Sequence, residues 1–335
     1  MSDCRNLKEY NRNKIINDIP YISVCLPAYN MENYIKKVVL SILNQSFQDF
    51  EIIITNDHSN DKTENIIKEI ISKDKRIKYI NHTINSGVYN SRVDAFFISK
   101  GKYILLMDPD DMLLNPKLFE ELYNFNLKNN LDIIEFTTLV SVEKYYNLLI
   151  RKRKYHYHNI EGIIFQPQLS NIFFYDPKYK NISSVQCRNI WNKIIRREVL
   201  LDTIKYIGRD YYTKFFITAE DTIINLLSLH FAKNYTNLNF PGYMYNVRKN
   251  SMCHGKANLK KKILFNYNHL LYLKKFYKYI KDFNKERNFI FYELIKINKL
   301  LIELNSITRK YNRDIKKFYN DILEDQILLC YLKNI

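Results

Sequence analysis

Three carboxylates fall within four positions at the end of a short apolar run. The run Tyr103–Met107 is rich in aliphatic residues and leads into Asp108, Asp110 and Asp111. Such a run predicts a buried strand, and open α/β sheets bind ligands at the carboxyl ends of their strands. Because an unpaired buried carboxylate is costly, these acids need a hard cation, a helix N-terminus or water. They are therefore candidate metal ligands, with a solvated acidic turn as the alternative.

A second acidic pair, Glu220-Asp221, opens an amphipathic segment whose apolar residues include Ile223, Ile224 and Leu227. A carboxylate can take the proton from an attacking hydroxyl as a general base. The alternative is purely structural, because acids in the first turn of a helix interact favourably with the helix dipole. The pair is thus a candidate for proton transfer.

The elements that would position these acids alternate regularly. Strands are predicted at Tyr21–Leu26, Phe50–Thr55, Ile77–Ile80 and Tyr103–Met107, with helices at Asn30–Asn44, Glu64–Lys73 and Val88–Ser99 between them, then a helix to Asn130 and a strand at Leu131–Thr138. This order predicts an α/β fold with a doubly wound, mostly parallel sheet. No glycine-rich dinucleotide fingerprint or P-loop is present, so carboxylates and a metal would have to hold any nucleotide.

Five motifs in this order resemble those of family-two glycosyltransferases, which are inverting nucleotide-sugar enzymes with the GT-A fold. They are Pro27-Ala28-Tyr29-Asn30 followed by Glu32; Ser41–Ser46; Asn56–Thr63; Asn85-Ser86-Gly87 followed by Arg92; and Gly101–Asp111. The sequence departs from the family pattern at Asn56 and His58, where Asp and Gly are usual, and at Val93, where Asn is usual. The first two departures put the base preference in question.

The resemblance implies roles for the donor-side residues. Asp57 would accept a hydrogen bond from the N3–H of uracil, Asp108 would meet the ribose hydroxyls or the metal, and Asp110 with Asp111 would hold Mn²⁺ or Mg²⁺ on the diphosphate. The metal would act as a Lewis acid on the leaving group. Asp111 could instead cap the next helix. The nucleotide-binding set is Pro27, Ala28, Tyr29, Glu32, Asp57, Asn85, Gly87, Arg92 and Asp108, and the metal set is Asp108, Asp110 and Asp111.

The resemblance extends into the second half of the chain. The segment Ile190–Leu200 matches a family motif, with Lys193 near the sugar or diphosphate and Trp191 either in the core or on a sugar-facing wall. Asp221 would be the base, and Glu220 its alternate or a ligand of the acceptor hydroxyl. A strand is predicted at Tyr235–Phe240, and after it Arg248, Ser251 and His254 would clamp the diphosphate. The alternative for Arg248 is a solvent-exposed arginine in a loop.

Charge and composition suggest the domain organisation. The net charge is +17, and residues 256–320 contain 12 more basic than acidic residues. We expect a polar lead-in at 1–20, a catalytic domain at 21–255 with nucleotide-binding (21–115) and acceptor (116–255) halves, and a basic helical extension at 256–335. The extension could pack on the catalytic domain or contact an anionic membrane surface. The basic aromatic stretch 151–158 is interpreted as an exposed loop rather than a nucleic-acid site.

The predicted function is metal-dependent inverting transfer from a nucleotide-sugar, with UDP as the expected carrier, to a hydroxyl of a glycan or lipid-linked acceptor. Five scattered cysteines and a polar N-terminus without an apolar core segment predict a cytoplasmic protein, with peripheral contact at the inner membrane face as an alternative. The competing interpretations are a nucleic-acid-binding protein using the basic extension and a sugar-nucleotide binder without turnover. Nucleic acid is not an expected partner, because the acids at the strand ends would repel phosphate.

Overall fold

The computed structural model describes residues 19–142, 162–166, 189–208 and 220–247. All of them belong to one compact unit of the chain. Within those ranges, no helix is both long enough and apolar enough to cross a lipid bilayer. The basic aromatic stretch 151–158, the extension 256–335 and residues 1–18 of the lead-in lie outside the described residues, so the predictions made for them stay predictions.

Nine strands and six helices make up the described part. The strands are β1 (Ile22–Ala28), β2 (Phe50–Asn56), β3 (Ile77–Asn81), β4 (Tyr103–Leu106), β5 (Met112–Leu113), β6 (Ile133–Val142), β7 (Ile163–Phe165), β8 (Lys193–Arg196) and β9 (Asn234–Val247). The helices are α1 (Ile35–Leu43), α2 (Thr63–Ile71), α3 (Val88–Ile98), α4 (Leu118–Asn129), α5 (Arg197–Ile207) and α6 (Glu220–Phe231). The alternation predicted up to β6 is confirmed.

One sheet runs in the order β3-β2-β1-β4-β8-β6-β9-β5, with β7 also paired to β9. The pairs β2–β3, β1–β2 and β1–β4 are parallel. Strands β1, β2 and β4 are buried along their whole length, as expected for strands covered on both faces. One face, which includes Val24, Ile52 and Leu105, joins a core with apolar residues of α1, α2 and α4. The predicted doubly wound α/β architecture is confirmed.

The second half departs from parallel pairing. Strand β8 lies antiparallel between β4 and β6, and β6 pairs in parallel with β9. The prediction that the last strand ends at Phe240 was wrong, because β9 continues to Val247. It passes Pro241 through register shifts on either side of Thr137, and a bulge is a position where a sheet tolerates proline. The longer strand carries its C-terminal residues to the loop after β4.

Gly101, in the turn before β4, lets that turn pack directly against β1. A Cβ atom at this position would lie 2.4 Å from Ser23 Oγ and 2.5 Å from Ser23 N. The amide of Gly101 instead donates a hydrogen bond of 2.7 Å to Ser23 Oγ. A larger residue would push β4 away from β1 and move the acids that follow β4.

Candidate active site

The parallel strands β1, β2 and β4 end at the same edge of the sheet, as parallel pairing requires. Asp57 directly follows β2, and Asp108 lies two residues after β4. The amide of Asp57 donates a 2.8 Å hydrogen bond to the carbonyl of Ala28, which is the last residue of β1. The donor-side residues predicted from the sequence therefore gather at one edge, with Pro27 and Ala28 inside β1 itself.

The loops after β1 (residues 29–34) and β2 (residues 57–62), here called the donor loops, are hydrogen-bonded to each other. The amide of Asn30 donates to Ser59 Oγ at 3.0 Å, and the amide of Glu32 donates to Asp61 Oδ2 at 3.1 Å. In return, the amide of Lys62 donates to Glu32 Oε2 at 3.0 Å. Glu32, predicted to bind nucleotide, thus joins the two loops, and it is the loops together that form the edge of the site.

The Asp57 carboxylate accepts several hydrogen bonds from its own chain. The amides of Ser86 and Gly87 donate to Oδ1 at 2.7 Å and Oδ2 at 2.8 Å, and His82 Nδ1 lies 2.8 Å from Oδ1. Gly87 has φ +86, a left-handed conformation that favours glycine. Burial is the largest single influence and raises the pKa of Asp57, but these hydrogen bonds together hold the pKa below its usual value. Asp57 is therefore an ionised acceptor.

Two predicted donor-side residues are exposed at this edge. Tyr29 is 43% exposed, although it directly follows a fully buried strand. Asn85 is also exposed, in the loop between β3 and α3. Tyr29 therefore offers an exposed ring on which a planar group could stack, next in sequence to Ala28, whose carbonyl accepts from the amide of Asp57.

Arg92, on α3, connects the two acidic segments of the sequence. Its Nη2 donates to Asp108 Oδ1 at 2.6 Å. Its Nη1 donates to Glu220 Oε1 at 2.9 Å and to Asp221 Oδ1 at 2.5 Å. The Arg92 side chain is only 3% exposed. We call Arg92, Asp108, Glu220 and Asp221 the carboxylate cluster. Arg92, which was expected to bind nucleotide, contacts protein carboxylates here.

Protonation within the carboxylate cluster is shifted. Burial, with the charge of Asp221 as the next cause, raises the pKa of Glu220 to about 8. Burial likewise raises the pKa of Asp108 to about 7, although Arg92 acts in the opposite direction. Burial alone would lower the pKa of Arg92, yet the three carboxylates raise it above its usual value. Burial and repulsion therefore favour the protonated form of Glu220, while Arg92 stays charged.

Asp111 points into the protein. Its Oδ2 accepts a 2.8 Å hydrogen bond from the hydroxyl of Tyr243, and its Oδ1 accepts one of 2.8 Å from the amide of Asn246. It is fully buried, whereas Asp110 is partly exposed and its carbonyl accepts from Asn246 Nδ2 at 2.8 Å. The two roles left open for Asp111, metal ligand and helix cap, do not describe this setting. Asp111 anchors β9 to the loop after β4 that carries the three acids, here called the acidic loop. Asp108 and Asp110 are the acids with exposed surface.

Trp191 and Lys193 have settings different from the predicted contact with sugar or diphosphate. Trp191 is 6% exposed and stacks on the rings of Tyr243 and Tyr245, with centroids 4.8 Å and 5.3 Å away. Lys193 is fully buried, and its Nζ lies 3.5 Å from Glu135 Oε2. Of the alternatives for Trp191, the structure supports the core. Lys193 forms a buried ion pair between β8 and β6 and has no ligand-facing surface.

Not every predicted residue can be placed, and some residues of the site were missed. Arg248, Ser251 and His254 lie outside the described residues. Sequence reasoning missed His82, Tyr243 and Asn246, which contact predicted residues, and Asp94, which contacts His82. The only signal available for His82 was its position in the loop after β3, three residues before Asn85. Within the described ranges, no three His, Cys, Asp or Glu side chains are grouped so that they could hold a metal by themselves.

Two curated relatives are similar to this chain. An uncharacterised glycosyltransferase of Haemophilus influenzae is 42% identical over 114 residues, which are 34% of this chain and 45% of the relative. The GalNAc(5)-diNAcBac-PP-undecaprenol beta-1,3-glucosyltransferase of Campylobacter jejuni is 33% identical over 101 residues, which are 30% of this chain and 33% of the relative. The matching regions thus span less than half of the length of either relative.

A solved structure and a family match agree with these relatives. The crystal structure of S. aureus TarS residues 1–349 in complex with UDP-GlcNAc has a TM-score of 0.56 at 19% identity, covering 87% of this chain and 74% of that one. This likeness shows the GT-A fold. The sequence from residue 23 to residue 202, more than half of the chain, matches the family described as glycosyl transferase family 2. The chain belongs to glycosyl transferase family 2.

Proposed function

We propose that this protein transfers a sugar from a uridine diphosphate sugar to an acceptor hydroxyl, with inversion at the anomeric carbon and with a divalent metal. The carboxylate cluster is the observation that carries the proposal. One buried guanidinium joins Asp108, which follows a donor-side strand, to Asp221, which opens α6. In a single-displacement transfer, the group that serves the leaving diphosphate and the group that deprotonates the nucleophile lie on opposite sides of one carbon. Arg92 brings together one acid suited to each task.

Asp221 is the better candidate for the base. Its side chain is 27% exposed, while that of Glu220 is 7% exposed. The raised pKa of Glu220 leaves it protonated near neutral pH, and a protonated acid cannot accept a proton from a hydroxyl. Asp221 would take the acceptor proton as the acceptor oxygen bonds to the anomeric carbon. The bond from that carbon to the diphosphate oxygen breaks in the same step, and UDP departs with the electron pair.

Asp108 and Asp110 would hold Mn²⁺ or Mg²⁺. Two partly exposed carboxylates fit such an ion, because these metals are commonly bound by one or two carboxylates together with substrate phosphates. When bound, the metal would neutralise charge that develops on the departing diphosphate. Asp111 is left out of this set, because it is fully buried and its oxygens accept hydrogen bonds from β9. Its part would be to fix the loop that carries the other two acids.

The base of the donor would lie between Tyr29 and Asp57. A uracil ring would stack on the exposed Tyr29 while its N3–H donates to Asp57, and Asn85 and Gly87 belong to the loop whose amides donate to Asp57. The structural neighbour with bound UDP-GlcNAc supports uracil as the base. Asn56 and His58, which stand where the family usually has Asp and Gly, lie on either side of Asp57 in the sequence. A donor screen must therefore include sugars carried by other nucleotide bases.

The acceptor is proposed to be a hydroxyl of a glycan or of a lipid-linked sugar. Its support is the relative whose name specifies an undecaprenol-linked acceptor. A cytoplasmic location, with contact at the inner membrane face through residues 256–335, remains the expectation from the sequence. The proposed diphosphate contacts of Arg248, Ser251 and His254 also rest on the family resemblance.

The test combines binding and turnover on the full chain. Calorimetry should detect UDP binding that requires Mn²⁺ and that falls strongly in Asp110→Ala. A release assay with UDP-, GDP- and TDP-sugars should show turnover with a uridine donor. Asp221→Asn should lower the turnover about 10²- to 10⁴-fold, the usual contribution of a general base, and leave UDP affinity nearly unchanged.

Three results would count against the proposal. UDP binding that ignores both the metal and Asp110→Ala would remove the metal role. Turnover that survives in Asp221→Asn would remove the base assignment, with Glu220→Gln as the matched second variant. Binding of UDP without release from any donor would indicate a binding protein without catalysis.

A further inference from the structure

The ring of His82 lies between two carboxylates that belong to different elements. Its Nδ1 is 2.8 Å from Asp57 Oδ1, and its Nε2 is 3.2 Å from Asp94 Oδ2. His82 directly follows β3, and its side chain is 11% exposed, whereas that of Asp94 on α3 is 42% exposed. The histidine thus connects the proposed base-binding acid with the outer surface of the helix that carries Arg92.

The hydrogen bonds at Asp57 limit what a ligand can do there. A carboxylate has about four acceptor sites. At Asp57, His82 and the amide of Ser86 use Oδ1, and the amide of Gly87 uses Oδ2. This leaves capacity for one further donor, on Oδ2. A single remaining acceptor site suits a base that presents one ring N–H, as uracil does.

We propose that His82 is a positioning residue for donor binding, which holds Asp57 so that one oxygen stays available to the N–H of the base, and that Asp94 keeps the ring in the doubly protonated form. The inference rests on the proposed function, since it assumes a uridine donor. Neither residue would touch the reacting atoms.

The chemistry of imidazole supports this pairing. The charged groups that contact the ring are Asp57, which follows β2, and Asp94, on α3. The hydrogen bond to Asp57 is the largest cause that raises the pKa of His82; burial opposes it, and Asp94 adds to the rise. Only the protonated ring can donate through both nitrogens. A neutral ring that donates to Asp57 would turn a lone pair toward Asp94.

The direction of the pH effect follows. The favourable contacts of His82 are complete at pH values below the ordinary pKa of histidine, about 6.5. They are lost as the pH rises through the raised pKa of the folded protein. We therefore expect donor affinity to fall as the pH rises through that value, because Asp57 is then held less firmly.

The experiment measures the dissociation constant of UDP-GlcNAc with Mn²⁺ between pH 6 and pH 9, using the full chain. His82→Ala should weaken binding about ten- to a hundredfold at pH 6, the usual effect of losing a charged hydrogen bond. His82→Asn should recover most of this loss, because its amide can donate to Asp57. Its pH profile should lack the part that depends on His82 and keep only the change due to other groups, such as Asp108. Asp94→Asn should bind like the wild type at pH 6 and lose affinity at a lower pH than the wild type.

The Asp94→Asn profile makes the test independent of folding defects in His82→Ala. A structural role for His82 would not move the pH at which affinity is lost. If the wild type binds UDP-GlcNAc and Asp94→Asn has the same pH profile, the inference is overturned while the proposed function stands. If the wild type binds neither UDP-GlcNAc nor UDP, both the proposed donor and this inference fail.

Discussion

The donor loops and the carboxylate cluster hold their parts of the candidate site by different physical means. In the donor loops, backbone amides donate to short polar side chains of the neighbouring loop, as Asn30 does to Ser59. In the carboxylate cluster, one buried guanidinium bonds side chains more than 100 residues apart in sequence, such as Glu220. The first region consists of many modest, separable contacts, and the second depends on one residue.

This difference has energetic consequences. A neutral hydrogen bond contributes on the order of 1 kcal/mol, so losing one loop contact leaves the others in place. A buried charge that loses its partner costs about 3–5 kcal/mol, because the remaining ions stay desolvated. Single substitutions in the donor loops should therefore change the free energy of unfolding little, whereas a single change at Arg92 in the carboxylate cluster should lower it strongly. This also means that the position of Asp221 depends on the donor side, through Asp108 and α3.

Removing Arg92 is the most direct way to break this comparison. Arg92→Met keeps much of the side-chain volume but leaves Asp108, Glu220 and Asp221 without their cation. We expect the free energy of unfolding, measured by urea denaturation, to fall by about 3–5 kcal/mol at pH 8. The control Lys73→Met removes an exposed ion pair with Glu69 and should leave the free energy of unfolding nearly unchanged. Equal losses in the two variants would show that the buried arginine is not the dominant link.

The pH dependence of stability sharpens the same comparison. Glu220 has a pKa of about 8 in the folded protein, above its ordinary value, so the folded state binds more protons than the unfolded state between about pH 5 and pH 8. Stability should therefore decrease as the pH rises through this window, by at most about 1.4 kcal/mol per pH unit from this group. Glu220→Gln should remove this part of the slope.

The measurement is the difference in unfolding free energy between the wild type and Glu220→Gln at several pH values. This difference cancels the contribution of groups that do not interact with Glu220, such as His82. The exposed variant Glu121→Gln on α4 should leave the slope unchanged. A slope in Glu220→Gln equal to that of the wild type would mean that Glu220 is ionised throughout, and it would reopen the choice of base.

The two regions also differ in how well the sequence predicted them. The donor loops are assembled from residues close to strand ends, so strand periodicity and motif order suffice to place Asp57 and Asp108 at one edge. Apolar periodicity likewise predicted α6 from Glu220 onward. The sequence could not predict that Asp108 and Glu220 come together, because their common partner Arg92 is 128 positions from Glu220 in the sequence.

The residues whose settings differ from the expectation share a physical feature. The family resemblance placed Lys193 and Arg92 beside ligands, and in the structure each is buried against protein carboxylates. A sequence shows that a charged residue is present and leaves open whether its partner is a ligand or another side chain. The continuation of β9 beyond Pro241 was missed for a related reason, since the bulge opposite Thr137 exists only in the paired strands.

The smallest expected effect concerns the link between β9 and the acidic loop. Tyr243→Phe keeps the stacking on Trp191 but removes the hydroxyl that donates to Asp111 and accepts from the amide of Asp108 at 3.3 Å. We expect a loss of about 1–2 kcal/mol in urea denaturation, since Asp111 keeps its bond from the amide of Asn246. Tyr29→Phe, at an exposed position, is the matched control and should leave stability unchanged. If Tyr243→Phe costs as much as Arg92→Met, the loop after β4 is held mainly from β9, and the contrast between the distributed contacts of the donor loops and the single-residue dependence of the carboxylate cluster is wrong.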